Sequence, residues 1–348
     1  MRDVYHKLID ALHENKRAVL ATIIDVKGSA YRREGARAVI DPGGEVTGMI
    51  SGGCVEPDLA THARDVLQSN HPKKLTYDFR WSEEEVWGLG VGCNGVITVL
   101  LQPFDPVDDR QGASRLAEEL GRRLTADEPY LFTTVVESGD EDRYPAGSHW
   151  RTPAGQSGEK VTGLQETELD GVAVTLFHES VTPRPRLMII GAGPDAVLLA
   201  KGAYELDWRV SVVDHREAYL QTYFDRYETV LVSRGDFAEL QPDAATYCVL
   251  MTHNLELDQL ALHHLLPLSF PFLGVLGSRG RIRMLLDGVK ANGLQVEKEW
   301  LDKLYSPVGL EIGASSPQEI TVSILSELIA FQNGKQDHPI AHMRWSYE

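Results

Sequence analysis

The stretch from Leu187 to Ala196, taken with Asp214, restricts the fold of this chain more than any other feature. A short apolar run, Leu187-Met188-Ile189-Ile190, leads into Gly191-Ala192-Gly193-Pro194-Asp195-Ala196, and a helical pattern follows to about Leu206. A second apolar run, Val210 to Asp214, ends in a carboxylate 23 residues after Gly191. Strand, glycine turn, helix and a strand closing on an acid is the order of a dinucleotide-binding unit. One glycine turns the chain, the next lets a pyrophosphate approach, and the acid accepts from a ribose diol. Further strand-like runs at Thr229–Val232, Tyr247–Met251 and Phe272–Leu276 continue the series. The C-terminal half is therefore expected to be a Rossmann-type parallel sheet.

Nucleotide binding is a separate matter from the fold. Asp195 puts a carboxylate in the first helical turn, where it can satisfy free amides itself, and Pro194 removes one donor. Two readings follow: an NAD(P) site on Gly191, Gly193 and Asp214, or a Rossmann fold whose nucleotide site is empty or repurposed. Ligands of open parallel sheets sit beyond the carboxyl ends of the strands. Thr252-His253-Asn254 and Gly277-Ser278-Arg279 fall there. Ser278 and Arg279 suit a phosphate, or form an ordinary turn with a solvated arginine. His253 reads either as an acid or base or as a structural histidine.

The N-terminal half has a different rhythm. Residues 2–15 carry apolar positions at helical spacing, and Ala18–Val26 is a β-branched run. Ala36–Ile40 and Glu45–Ile50 flank the turn Asp41-Pro42-Gly43-Gly44. A helix is expected over Pro57–Gln68, and strands over Lys74–Phe79, Val96–Leu101, Leu131–Val136 and Val172–Phe177. This is a mixed α+β domain over 1–182, with a polar, glycine-rich insertion or mobile arm around 138–168. Val181-Thr182-Pro183-Arg184-Pro185-Arg186 marks the boundary to a second domain over 183–348.

Within the first domain, Ser51-Gly52-Gly53-Cys54-Val55-Glu56 places a thiol between a strand and a helix start. Gly88-Leu89-Gly90-Val91-Gly92-Cys93 repeats the idea. A lone cysteine is usually a small buried hydrophobe, which suits Cys248 in Tyr-Cys-Val-Leu-Met. Cys54 and Cys93 lie among glycines and are expected to face a ligand, with Gly52, Gly53 and Gly92 allowing its approach. Thiolates suit soft metal–sulfur centres, but two separated cysteines are too few for a zinc or cluster site, so any metal arrives inside a cofactor. Arg32 and Arg33 sit in a glycine-bounded loop and either meet a phosphate or offset nearby acids. With 34 basic against 51 acidic residues, a net charge of −17, neither nucleic acid nor a membrane surface is an expected partner. Three cysteines and the absence of an apolar leader point to the cytoplasm.

These marks together resemble the XdhC/CoxI family of accessory proteins for molybdenum hydroxylases. The resemblance rests on Gly28-Ser29, Arg32-Arg33 and Gly35, on both cysteine loops, and on Val213-Asp214-His215-Arg216. Thr252-His253-Asn254, Leu276-Gly277-Ser278-Arg279 and Pro307-Val308-Gly309-Leu310-Glu311-Ile312-Gly313 complete it. It departs at Asn94, where glycine is usual. The resemblance implies an N-terminal XdhC/CoxI domain, a C-terminal Rossmann domain and a homodimer. It also implies a carrier of molybdenum cofactor (molybdopterin), which delivers the sulfurated form to apo xanthine dehydrogenase or a related enzyme, with a cysteine desulfurase as partner. On that reading Cys54 and Cys93 are the reactive thiols, and Arg32 or Arg33 lies near the pterin phosphate. The rival reading is an NAD(P)-dependent oxidoreductase with His253 as acid or base. The chain is short for a complete molybdenum hydroxylase and lacks an iron–sulfur cysteine set, so it is not expected to oxidise xanthine alone.

Overall fold

The computed structural model describes residues 1–80, 95–154 and 161–335. The chain forms two compact units, Met1–Pro183 and Arg184–Glu348.

Unit 1 runs α1 (Arg2–His13), β1 (Ala18–Gly28), β2 (Arg37–Ile40), β3 (Val46–Gly48), α2 (Glu56–Ser69), β4 (Lys73–Asp78), β5 (Gly95–Phe104) and α3 (Arg110–Thr125). It continues with β6 (Tyr130–Ser138), β7 (His149–Pro153), β8 (Gly163–Leu169) and β9 (Val172–Val181). Among the described residues, one antiparallel sheet has the order β3-β2-β1-β5-β4 and a second has the order β7-β6-β9-β8. The first seven residues of β1, Ala18 to Ile24, are buried and all but Thr22 apolar, because both faces of the sheet are covered there. Val19, Ala21 and Ile23 pack towards α2, with Leu59, Ala63 and Val66. Ala18 and Leu20 alternate to the other side, against α1 and α3, with Leu8, Leu116 and Leu120.

A buried ion cluster ties β2, α3 and β9 together. The Glu179 carboxylate accepts from Arg123 Nη1 and Nη2, each at 2.9 Å, and from Arg37 Nη1 at 3.0 Å. Burial pushes this carboxyl up, and the two guanidinium groups outweigh it and hold the group ionised.

Unit 2 runs β10 (Arg186–Ile190), α4 (Pro194–Glu205), β11 (Arg209–Asp214), α5 (Glu217–Tyr223), β12 (Glu228–Leu231), β13 (Thr246–Leu250) and α6 (Leu255–Leu265). β14 (Phe272–Val275), α7 (Arg279–Ala291), α8 (Lys298–Leu301), β15 (Leu304–Tyr305) and α9 (Pro317–Gln332) follow. The parallel sheet has the order β12-β11-β10-β13-β14-β15. This is the doubly wound Rossmann arrangement, and strand order reverses between β10 and β13. Separate apolar cores cover the two faces, one around Leu199, Phe272 and Leu328, the other around Leu250, Leu262 and Leu285. Helix α9 starts at the capping box Ser316-Pro317-Gln318-Glu319.

The polar segment around 138–168 is not a featureless arm. Its described residues supply β7 and most of β8, which flank the β6–β9 pair. These are outer strands with one solvated face, so their sequence shows little of the apolar alternation that marks a strand. A further strand, β15, adds to the parallel sheet at an edge and is only two residues long, too short to carry a pattern.

Candidate functional site

In unit 1, β1, β3 and β4 end and β2 and β5 begin at one edge of the first sheet, because Gly28 pairs with Gly95 and Asp78 with Val96. The Arg32–Arg33 loop and the Cys54 loop therefore emerge side by side. A side chain at Gly52 would lie 4.0 Å from the Tyr31 ring, which is itself exposed. Cys54 is exposed and precedes the helix N-cap, Val55.

The loop holding Cys54 is fixed by its own hydrogen bonds. Ser51 Oγ accepts from the N–H groups of Cys54 and Val55, at 3.0 and 3.2 Å. The Ser51 hydroxyl in turn donates to Glu56. Glu56 Oε1 accepts from the amides of Ser51 and Ile50, at 2.8 and 3.2 Å. Burial would raise the Glu56 carboxyl, but these donors win and lower it. A single carboxylate thus orders the loop from Ile50 to Glu56 and leaves the thiol facing outward. Gly53 adopts φ +103° with open space on its side-chain face. Arg32 and Arg33 are exposed, and Arg33 reaches the Gly28 carbonyl at 3.4 Å. Cys93 and Gly92 lie outside the described residues. Cys248 is wholly buried on β13, and burial pushes its thiol up.

In unit 2, Gly191 turns the chain at φ +113°, and a Cβ there would meet the Met251 carbonyl oxygen at 2.6 Å. Only glycine fits. Several of the polar groups here, however, are occupied by protein, the Ala196 N–H by Asp195 Oδ1 at 3.1 Å among them. Asp214 Oδ2 accepts from the Ala192 N–H at 2.7 Å and from Arg216 Nη2 at 2.8 Å. Its Oδ1 accepts from the backbone N–H and Nε of Arg216, at 2.9 and 2.8 Å. Burial raises this carboxyl, and the Arg216 and Ala192 donors overcome that and bring it to about 2. The acid expected to hold a ribose already has both oxygens filled.

The close approach that Gly193 permits is also used. A Cβ at residue 193 would collide with Asp195 Oδ1 at 2.8 Å, and the His253 ring lies 3.6 Å from that position. His253 Nε2 and Asp195 Oδ2 are 2.8 Å apart. His253 sits at φ +59°, a left-handed conformation that costs a non-glycine residue about 1–2 kcal/mol. Ser278 caps α7 by accepting from the Arg281 N–H at 3.3 Å. Arg281 pairs with the buried Asp258 at 2.6 Å, and Arg279 is exposed with no ion-pair partner among the described residues.

Asp195, His253, Arg279 and Arg281 border a cleft of about 1000 Å³. Its far wall is the Leu304–Ala314 loop and the first turns of α9, ending at Glu327. Sequence reasoning missed Glu327, Glu56 and the engagement of Arg216 as site-forming groups. Glu56 and Arg216 lay inside quoted motifs, and their partners alone revealed their work. For Glu327 the only signal was the nearby Pro307–Gly313 motif.

Comparison with known proteins follows the same two-part division. The XdhC and CoxI family model matches residues 11–78, and the XdhC Rossmann domain model matches residues 187–328. The chain is 33% identical over 339 residues to a probable xanthine dehydrogenase subunit of Bacillus subtilis (strain 168), covering 93% of this chain and 96% of that one. It is 25% identical over 328 residues to the molybdenum cofactor insertion chaperone PaoD of Escherichia coli (strain K12), covering 94% and 87%. A crystal structure described as a xanthine dehydrogenase from Bacillus halodurans superposes with a TM-score of 0.72 at 29% identity, over 98% of this chain and all of that one. With a relative this similar along nearly the whole of both chains, and with both of its domain models matched in order, the chain belongs to the XdhC/CoxI family.

Proposed function

We propose that this protein is an accessory factor that binds molybdenum cofactor and passes its sulfurated form to apo xanthine dehydrogenase or a related molybdenum hydroxylase. The observation that carries the reading is the Cys54 loop. An exposed thiol stands on a backbone held from beneath by Ser51 and Glu56, beside a loop with two exposed arginines. A soft sulfur donor suits a metal–sulfur centre, and guanidinium groups suit the phosphate of a molybdopterin. A single open ligand suits release better than a closed cage. The name of the E. coli relative supports a cofactor-insertion role, and that of the B. subtilis relative supports a tie to xanthine dehydrogenase. In this reading Cys93 is the second thiol, a cysteine desulfurase supplies the sulfur, and the protein works as a cytoplasmic homodimer.

An NAD(P)-dependent oxidoreductase would need Asp214 free for a ribose, and Asp214 is committed to Arg216 and Ala192. The test is retention of molybdopterin by the purified full-length protein, read as pterin fluorescence after oxidation. Cys54→Ala/Cys93→Ala should lower retention at least about tenfold, the loss of one charge-assisted contact. Unchanged retention in that double variant would overturn the assignment.

A further inference from the structure

The unit 2 cleft contains a half-buried carboxylate that the reading above does not use. Glu327, on α9, lines the cleft and accepts from the Gly309 N–H at 2.7 Å. Its Oε1 has no hydrogen-bond partner among the described residues. The Pro307–Gly313 loop that brings Gly309 there is pinned on two sides. The Val308 N–H bonds the Val275 carbonyl at 3.1 Å, and Ser323 Oγ donates to the Leu310 carbonyl at 2.6 Å. Gly309 has φ +103°, and a Cβ on it would collide with Ser323 Oγ. The lining mixes apolar groups such as Leu276, Val308 and Ile320 with the charged Asp195, Arg279 and Arg281. Burial pushes the Glu327 carboxyl above its ordinary range.

The protein's own backbone thus holds this carboxylate at one oxygen, and the other is left to face the cleft. A carboxylate recognises two parallel N–H donors side by side. One flat ring edge that offers them is that of a 2-amino-4-oxopyrimidine, a ring N–H next to an exocyclic amine. Pterins and guanine share it. We propose that Glu327 reads this edge of a bicyclic heterocycle seated in the unit 2 cleft, with Arg279 at the rim taking the phosphate that accompanies the ring. The choice of heterocycle class rests on the cofactor-carrier reading, whose cargo carries a pterin and, in nucleotide-extended forms, a second base. The cleft volume suits such a ligand.

The test is a titration of full-length protein with four probes in two pairs. Pterin is set against lumazine, in which a carbonyl replaces the amine, and guanosine monophosphate against inosine monophosphate, which lacks the amine. Wild type should prefer the amine-bearing member of one pair by about 10- to 100-fold, the range of a charge-assisted hydrogen bond. The pair that shows the preference identifies the source, pterin or guanine nucleotide. Glu327→Gln retains an acceptor for the Gly309 N–H, so its thermal unfolding should match wild type while the preference disappears. Equal binding within both pairs, no binding of any probe, or a preference undiminished in Glu327→Gln would each overturn the proposal. Molybdopterin retention separates the two readings. If Glu327→Gln keeps the cofactor and the cysteine variant loses it, the carrier stands, the pterin source falls, and the ring-edge assignment falls with it unless the nucleotide pair shows the preference. If wild type retains no cofactor, the carrier reading falls, and the nucleotide pair alone decides Glu327.

Discussion

At the scale of single residues, Asp214 shows how a carboxylate at a motif position can be held by its own chain. Its position at the end of β11 is that of a ribose acceptor, but Arg216, two residues on, folds back over it. Its folded-state value of about 2 lies below the ordinary 3.8. A depressed carboxyl stabilises the fold at pH above its unfolded value, and that contribution is lost as pH falls towards the folded one. Asp214→Asn should therefore cost about 1–2 kcal/mol at neutral pH, after allowance for the partly solvated guanidinium. Urea titrations of variant and wild type should converge as the pH is lowered from about 4 towards 2. A constant difference across that range would assign the loss to shape rather than charge.

At the scale of elements, the connection between β3 and α2 is a small rigid body whose keystone is Glu56. That the thiol stands between a strand and a helix was legible in the sequence, from an apolar run, two glycines and Pro57 in the first helical turn. That Glu56 reaches back to Ile50 and Ser51 was not legible, because the acid could equally have served α2 as a solvated first-turn charge. Glu56→Ala should cost about 1–3 kcal/mol, the penalty for stranding partly buried donors, and should loosen the Cys54 loop. Two measurements check this: thermal unfolding, and the rate of Cys54 alkylation in a Cys93→Ala background, where the rate should change. A Glu56→Ala protein with wild-type alkylation kinetics would show that the loop is held by something else.

At the scale of the whole molecule, each apolar cluster among the described residues draws its members from one unit. Those of unit 1 span residues between Met1 and Val181, and those of unit 2 fall between Leu187 and Phe331. A unit with its own two-faced core needs no apolar surface from elsewhere to fold. Residues 184–348 expressed alone should therefore show a single cooperative thermal transition with retained near-ultraviolet circular dichroism. A broad, non-cooperative melt would show that unit 2 depends on unit 1. The boundary itself, between Pro183 and Arg184, lies in the proline-bearing segment where neither helix nor central strand can continue.

Local chemistry determined the parts of this protein that depend on near neighbours. Periodicity and glycine placement specify the parallel βαβ series, the α4 start and β1 as a strand, because each is a pattern of side chains within a few residues. The outer strands β7 and β8 escaped, since a solvated face removes the apolar signal on which such reading depends. Only the tertiary structure decided how the polar groups pair. Asp214 with Ala192, His253 with Asp195 and Glu327 with Gly309 are separated by 22, 58 and 18 residues. A hydrogen bond is made across about 3 Å of space whatever the distance along the chain. Folding, not the glycine motif, has turned Asp214 onto Ala192 and Arg216 and set one oxygen of Glu327 against Gly309.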